Sequence, residues 1–159
     1  MVPFRNIRSA IVRGLKEYMN LPVIEMNGGG DVPAGEFMTY HFPDGFGEPS
    51  GQPIYEQENN TLRQIETVTF SVSFLSYAAD SATSIENAMR ACDWFKGAGH
   101  DILKDAVNVV VVEVGSIENR DIVMEEVWER RHGFEVEFRT LDVVETELVT
   151  INTTNIQRG

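Results

Sequence analysis

Residues 66–74 read Glu66-Thr67-Val68-Thr69-Phe70-Ser71-Val72-Ser73-Phe74. Val68, Phe70, Val72 and Phe74 fall on one parity, and Thr67, Thr69, Ser71 and Ser73 on the other. Successive side chains of a strand point to opposite faces, so this period of two predicts a strand with one apolar and one small, polar face. Its β-branched and aromatic content suits a pleated, half-buried surface. A longer segment of the same kind covers residues 127–141. There Trp128, Phe134, Val136 and Phe138 share one parity, while Glu129, Arg131, Glu135, Glu137 and Arg139 share the other, wetter one.

Working outward from 66–74, a helix is expected after Asp80, whose carboxylate suits the first-turn N–H groups. Ala82, Ile85, Met89, Cys92 and Phe95 mark its stripe, and Lys96-Gly97 reads as its end. Ile102 and Leu103 belong to a short helical turn or a loop. Residues 107–114 are apolar on both faces apart from Asn108 and Glu113, which predicts a strand at the sheet centre. Leu148, Val149 and Ile151 suggest a last strand before a polar tail over 152–159.

Upstream, Phe4, Ile7, Ile11 and Leu15 recur at helical spacing with basic residues between them. This predicts an amphipathic helix over about residues 3–19 with Pro3 in its first turn. A short strand is expected at 23–26 and another at 37–42. Residues 43–61 hold a glycine- and proline-rich run that cannot build a helix or a central strand, and they read as one long loop. The economical solution is a single domain over 1–159: an α/β (α+β) fold with one mostly antiparallel sheet packed by two main helices.

With 159 residues the chain is long enough to bury a core without a metal or disulfide staple. Its formal charge is −12, from 13 basic and 25 acidic residues, so duplex DNA is repelled unless a local basic patch intervenes. Arg5, Arg8, Arg13 and Lys16 concentrate positive charge in the first helix. The single cysteine, Cys92, has no internal partner for a disulfide, which fits synthesis in a reducing interior. No run approaches the ~18 apolar residues of a membrane helix, and the chain is expected to be soluble.

No chemistry-bearing constellation stands out. His41, His100 and His132 show no metal-ligand spacing with one another or with Cys92. Cys92, late on an apolar stripe, reads as an inert buried thiol. Gly28-Gly29-Gly30 lacks the lysine and the helix of a phosphate loop. Glu135 and Glu137 stand about 7 Å apart on one strand face. That is a separation some glycosidases use, but Arg131 and Arg139 share their parity and predict a solvated ion-pair face instead. No catalytic, cofactor or metal site is expected.

The element order, with Phe37-Met38-Thr39-Tyr40-His41-Phe42, the strand 66–74, the helix after Asp80 and the string Trp128-Glu129-Arg130-Arg131-His132-Gly133-Phe134-Glu135-Val136-Glu137-Phe138, resembles tailed-bacteriophage neck and tail terminator proteins. The resemblance runs from the first helix to Val149. It implies a structural virion protein, made in the host bacterial cytoplasm. Such subunits form a homo-oligomeric ring, commonly a hexamer, at the head-proximal end of the tail. The implied partners are the tail tube protein and the head connector or stopper protein. DNA passes through without specific binding. On this view Arg5, Arg8 and Arg13 face Glu125, Glu126 or Glu129 of a neighbour, with Trp128 as a candidate anchor. Glu129, Glu135 and Glu137 are candidates for an acidic lumen that repels phosphate. Another neck or baseplate protein, or an acidic binding module or inhibitor, are the alternative readings.

Overall fold

A computed structural model describes residues 1–124 and 127–148. The elements in chain order are α1 (Phe4–Met19), β1 (Val23–Glu25), β2 (Phe37–His41), β3 (Glu48–Pro49), β4 (Ile54–Glu58), β5 (Thr61–Ala78), α2 (Ser81–Lys96), α3 (Ala98–Val107), β6 (Val110–Val114), β7 (Glu118–Asn119), β8 (Ile122–Met124) and β9 (Val127–Glu147). The fold is α+β, with three helices on a large mixed sheet that does not close.

The decisive stretch lies in β5, which runs antiparallel to β9 from Thr61↔Glu147 to Ala78↔Arg130. Its other side is taken in turn by β2, β3 and β4, all antiparallel. The one parallel pairing is β1 with β2 at the sheet's end. The apolar parities of β5 and β9 meet in register as Phe70↔Phe138, Val72↔Val136 and Phe74↔Phe134. The two Phe pairs stack at 5.1 and 5.4 Å. Phe95 of α2 then lies over this ladder, 5.1 Å from Phe74 and 5.8 Å from Phe138. These are the ring separations at which aromatic pairs add to plain area burial.

α1 buries Ile7, Ile11 and Leu15 of the stripe read from its sequence, and Met19 beyond it, while Phe4 stays half-buried. Its last turn closes on Asn20 in the left-handed region, φ 54°, where asparagine is tolerated better than most residues. α2 begins as expected: the Asp80 carboxylate accepts from Thr83 N–H at 2.9 Å and from the Thr83 hydroxyl at 2.8 Å. Those hydrogen bonds hold the Asp80 carboxyl below its ordinary range.

Four expectations need correction. The buried face of α2 is Ser84, Asn87, Ala88, Ala91, Cys92, Trp94 and Phe95, while Ile85 and Met89 are 36% and 52% exposed. Small residues hold the first three turns of that face, and Trp94 and Phe95 fill it at the end of the helix. Residues 98–107 form a full helix, α3, which packs through Gly99 and Leu103, with Val107 against the core. β6 is an edge strand on the outer side of β9, with a bulge between Val111 and Glu113 that leaves Val112 48% exposed. The centre belongs to the far longer β5–β9 pair. The segment 43–61 holds β3 and β4. It is pinned at its start by Phe46, which packs on Phe4 and Phe70 at 5.2 and 4.8 Å. Gly45 and Gly47, at φ 91° and 82°, supply the backbone turns on either side of that ring.

At about 3.3 Å per residue β5 spans roughly 60 Å, whereas a 16-residue helix spans about 24 Å. The sheet therefore outruns its helices. β4, with the facing ends of β5 and β9, forms an arm on which every β4 residue is exposed, Ile54 and Tyr55 by about three-fifths.

Candidate assembly surfaces

The three helices cover one face of the sheet. The other face carries the second parity of the long strands: Thr67, Thr69 and Ser71 from β5, with Glu135, Glu137 and Arg139 from β9. β6 adds Glu113 directly across from Glu137. Ser71, Glu113, Gly115, Glu135 and Glu137 line a shallow depression of about 230 Å³. Like charges placed opposite each other across strands destabilise a sheet, so this acidic triad is a local cost of the fold. Sequence parity identified two of its members; Glu113 joins only because β6 pairs with β9 in this register.

Glu129 does not belong to that group. Six residues along β9 from Glu135, it lies about 20 Å away, half-buried near the β1 edge. Glu125 and Glu126 lie outside the described residues. The backbone of Trp128 pairs with Val123.

The basic residues of α1 point away from the core. Arg5, Arg13 and Lys16 are exposed. Arg8 is half-buried and folds its guanidinium over the Phe4 ring, 5.8 Å from the centroid. Arg5 and Arg13 make no hydrogen bond or ion pair among the described residues. The helical layer is thus the more basic side of the subunit and the bare sheet the more acidic.

The string 130–133 has structural work on that fold. Asp121 accepts from Arg131 N–H at 2.7 Å and from the Arg130 guanidinium at 3.0 Å. Burial tends to raise the Asp121 pKa, but these donors, with Asn119, outweigh it and hold the carboxyl below its usual range. Arg131 donates through Nε to the Arg120 carbonyl at 2.9 Å and lies 5.8 Å from the Tyr77 ring. Among the described residues Arg131 forms no ion pair with Glu135 or Glu137, so the expected ion-pair face does not exist there. His132 is 3% exposed, and its Nδ1 lies 2.9 Å from Ser84 Oγ. Ser84 spends its one hydrogen on the Ser76 carbonyl at 2.9 Å, so Nδ1 carries the proton and donates to Ser84. Gly133 leaves the space filled by Leu75 and Arg120.

The remaining sequence candidates separate. His41 is exposed, and His100 stands beside Asp101 at 3.5 Å. Cys92 is buried, which pushes its thiol up to about 11. Among the described residues no three of His, Cys, Asp and Glu are grouped to hold a metal ion, and no helix is long and apolar enough to cross a membrane.

No curated protein matches the sequence. Across known families, residues 7–159 match the one described as phage neck terminator protein. That match takes in all but the first three residues of α1, the whole sheet and both later helices, and it agrees with the resemblance carried by the strand 66–74 and the string 128–138. The chain therefore belongs to the phage neck terminator family, a structural component of the virion neck that works in contact with other head and tail proteins.

Proposed function

We propose that the chain closes into a ring, of six copies, at the head-proximal end of the tail. There it ends tube polymerisation and joins the tail to the head connector or stopper. The single observation that carries this reading is the two-faced subunit, with the basic face of α1 on one side and an acidic, helix-free sheet on the other. Head-to-tail contacts require two different, complementary patches on each copy, and such contacts close into rings when the rotation permits. The role is architectural and involves no bond-making step.

Arg5, Arg8 and Arg13 were the sequence candidates for the contact. Arg5 and Arg13 fit it best, since Arg8 is engaged with Phe4. Glu125, Glu126 and Trp128 are retained as neighbours of that contact. Glu135 and Glu137, with Glu113, suit a lumen through which DNA slides, because uncompensated carboxylates repel phosphate. Glu129, far along β9, suits a contact rather than the lumen. The arm built on β4 reaches past the helices and suits docking to the tail tube.

Electron microscopy of virions carrying a labelled copy tests the reading. Density for a closed ring at the head–tail junction is the expected result. A label at the distal end of the tail would place the chain in a baseplate instead, and a label absent from particles would favour a free acidic inhibitor.

A further inference from the structure

A second concavity lies on the helix-free face, at the sheet end where β1 pairs with β2. It has a volume of about 410 Å³ and is roofed by the loop that contains Gly28, Gly29 and Gly30. Its floor is apolar: Ile24, Phe37 and Tyr77, with the two rings stacked at 4.5 Å and only 8° from parallel. Its acidic side chains are Asp31 and Glu129; Glu25 borders it through the backbone but shares the parity of the buried Val23 and acts on Tyr40 from the helical face. Among the described residues no Lys or Arg lines the cleft, and neither of the two carboxylates has an ion pair or hydrogen bond. Thr39, also in the lining, is 5% exposed, and its hydroxyl is left without a hydrogen-bond partner.

Uncompensated carboxylates around an aromatic floor, with an unsatisfied hydroxyl, describe a receptor for a cationic group on an apolar stem. Guanidinium fits best, since it is planar, stacks on aromatic faces and bonds carboxylates through a fork of donors. Tyr77 already accepts one such group from its own chain, Arg131.

Resting on the ring reading above, we propose that this cleft receives the basic face of α1 from a second copy of the chain, with Arg13 as the inserted side chain. Charge complementarity selects that occupant. Arg13 and Arg5 are exposed and unpaired among the described residues, about 12 Å apart along the helix. Neither makes a hydrogen bond or ion pair with a cleft residue of its own copy among the described residues, so the partner is a second copy. This places Glu129 and Asp31 opposite α1, and it explains why the apolar Phe37–Tyr77 pair faces away from the core.

The test uses the full chain in sedimentation velocity at rising concentration, with far-UV circular dichroism to confirm folding. Arg13→Glu alone, and Asp31→Arg with Glu129→Arg, should each weaken association at least roughly tenfold. Combining the reversals should restore most of it. The neutral pair Asp31→Asn and Glu129→Gln should give an intermediate loss that shrinks in high salt. Rings that assemble equally well in every variant would overturn the cleft contact while leaving the ring reading intact. So would single losses that the combined reversal does not repair, because the pairing would then not be direct. A native chain that stays monomeric at millimolar concentration and on purified tails would overturn both.

Discussion

Replacing Gly14 by alanine should destabilise this protein, although the same change in an isolated helix would strengthen it. Gly14 sits in the interior of α1, where alanine is favoured over glycine by about 1 kcal/mol. A methyl group there, however, comes 2.5 Å from Trp94 Cζ2 and 2.8 Å from Cη2. Ordinary carbon contacts need about 3.5 to 4.0 Å, so the indole has to retreat by about 1 Å. Trp94 is 2% exposed, and its other edge is held by Gly99, where an added Cβ would lie 2.5 Å from Cδ2. The ring is clamped between two helices that touch through glycine. Overpacking of this kind costs about 1–3 kcal/mol, which outweighs the propensity gain and leaves a net loss of about 1 kcal/mol. Trp94→Phe shortens the ring at the edge that meets Gly14. In that background Gly14→Ala should become stabilising by up to about 1 kcal/mol. Urea denaturation of the four proteins, followed by circular dichroism at one fixed concentration, measures the cycle. Equal stabilisation by Gly14→Ala in both backgrounds would refute the clamp, because a residue in contact with the ring must couple to it.

Ser84→Ala removes both the acceptor for His132 Nδ1–H and the donor to the Ser76 carbonyl. Two buried groups are then unpaired, and the same denaturation assay should show a loss of about 1–3 kcal/mol. Asp80 and Asp121 have folded pKa values below the unfolded value of about 3.9. Their stabilisation is therefore complete above that value and is lost as pH falls through the folded values. Melting temperature should drop below about pH 4, and less steeply in Asp121→Asn, which has no such proton to bind on unfolding. Cys92, raised to about 11 mainly by burial, should resist alkylation by iodoacetamide at neutral pH and react at the rate of opening. Rapid labelling of the folded chain would show the thiol to be accessible.

The parts of the fold legible in sequence are those where one strong local pattern meets no competitor. The alternation in 66–74 and over 132–140 survives because both strands bury the same parity against helices, and the α1 stripe survives for the same reason. The α2 stripe misled because hydrophobicity was taken as the criterion where space decides. Ala88, Ala91 and Ser84 fit under the sheet, and Ile85 and Met89 do not. α3 is hard to see in sequence because it spans under three turns and follows α2 after the single residue Gly97, so its apolar positions 102, 103 and 107 give only a short period. β6 looked central because its valines face both ways, but a bulge at an edge also gives that pattern. Parity placed Glu135 and Glu137 together correctly. It could not separate Glu129 from them, since parity carries no distance, nor enlist Glu113, which depends on a register between strands far apart in sequence. Arg131 was assigned to an ion-pair face because its parity fits. The turn bearing Arg120 and Asp121 captures it first.

The charge layout also bears on which assemblies are open to such a subunit. Two copies meeting sheet to sheet would bring Glu113, Glu135 and Glu137 of one against the same residues of the other, with Arg139 the cation that β9 places on that stretch of the face. That arrangement is repelled at close range. Strand-edge pairing along β4 meets Glu56 and Glu58, and acidic residues on an edge discourage uncontrolled addition of strands. A two-fold contact centred on α1 places Arg5 and Arg13 against their own kind. These contacts are opposed by like charge, whereas the basic face of α1 against the acidic sheet face is complementary and joins different patches on successive copies. A head-to-tail contact of that sort ends in a closed ring or runs on as a filament. Repulsion then weighs against sheet-to-sheet partnerships as attraction favours the head-to-tail one, and neutralising the sheet-face triad with glutamines should raise the fraction of two-fold dimers seen in sedimentation velocity.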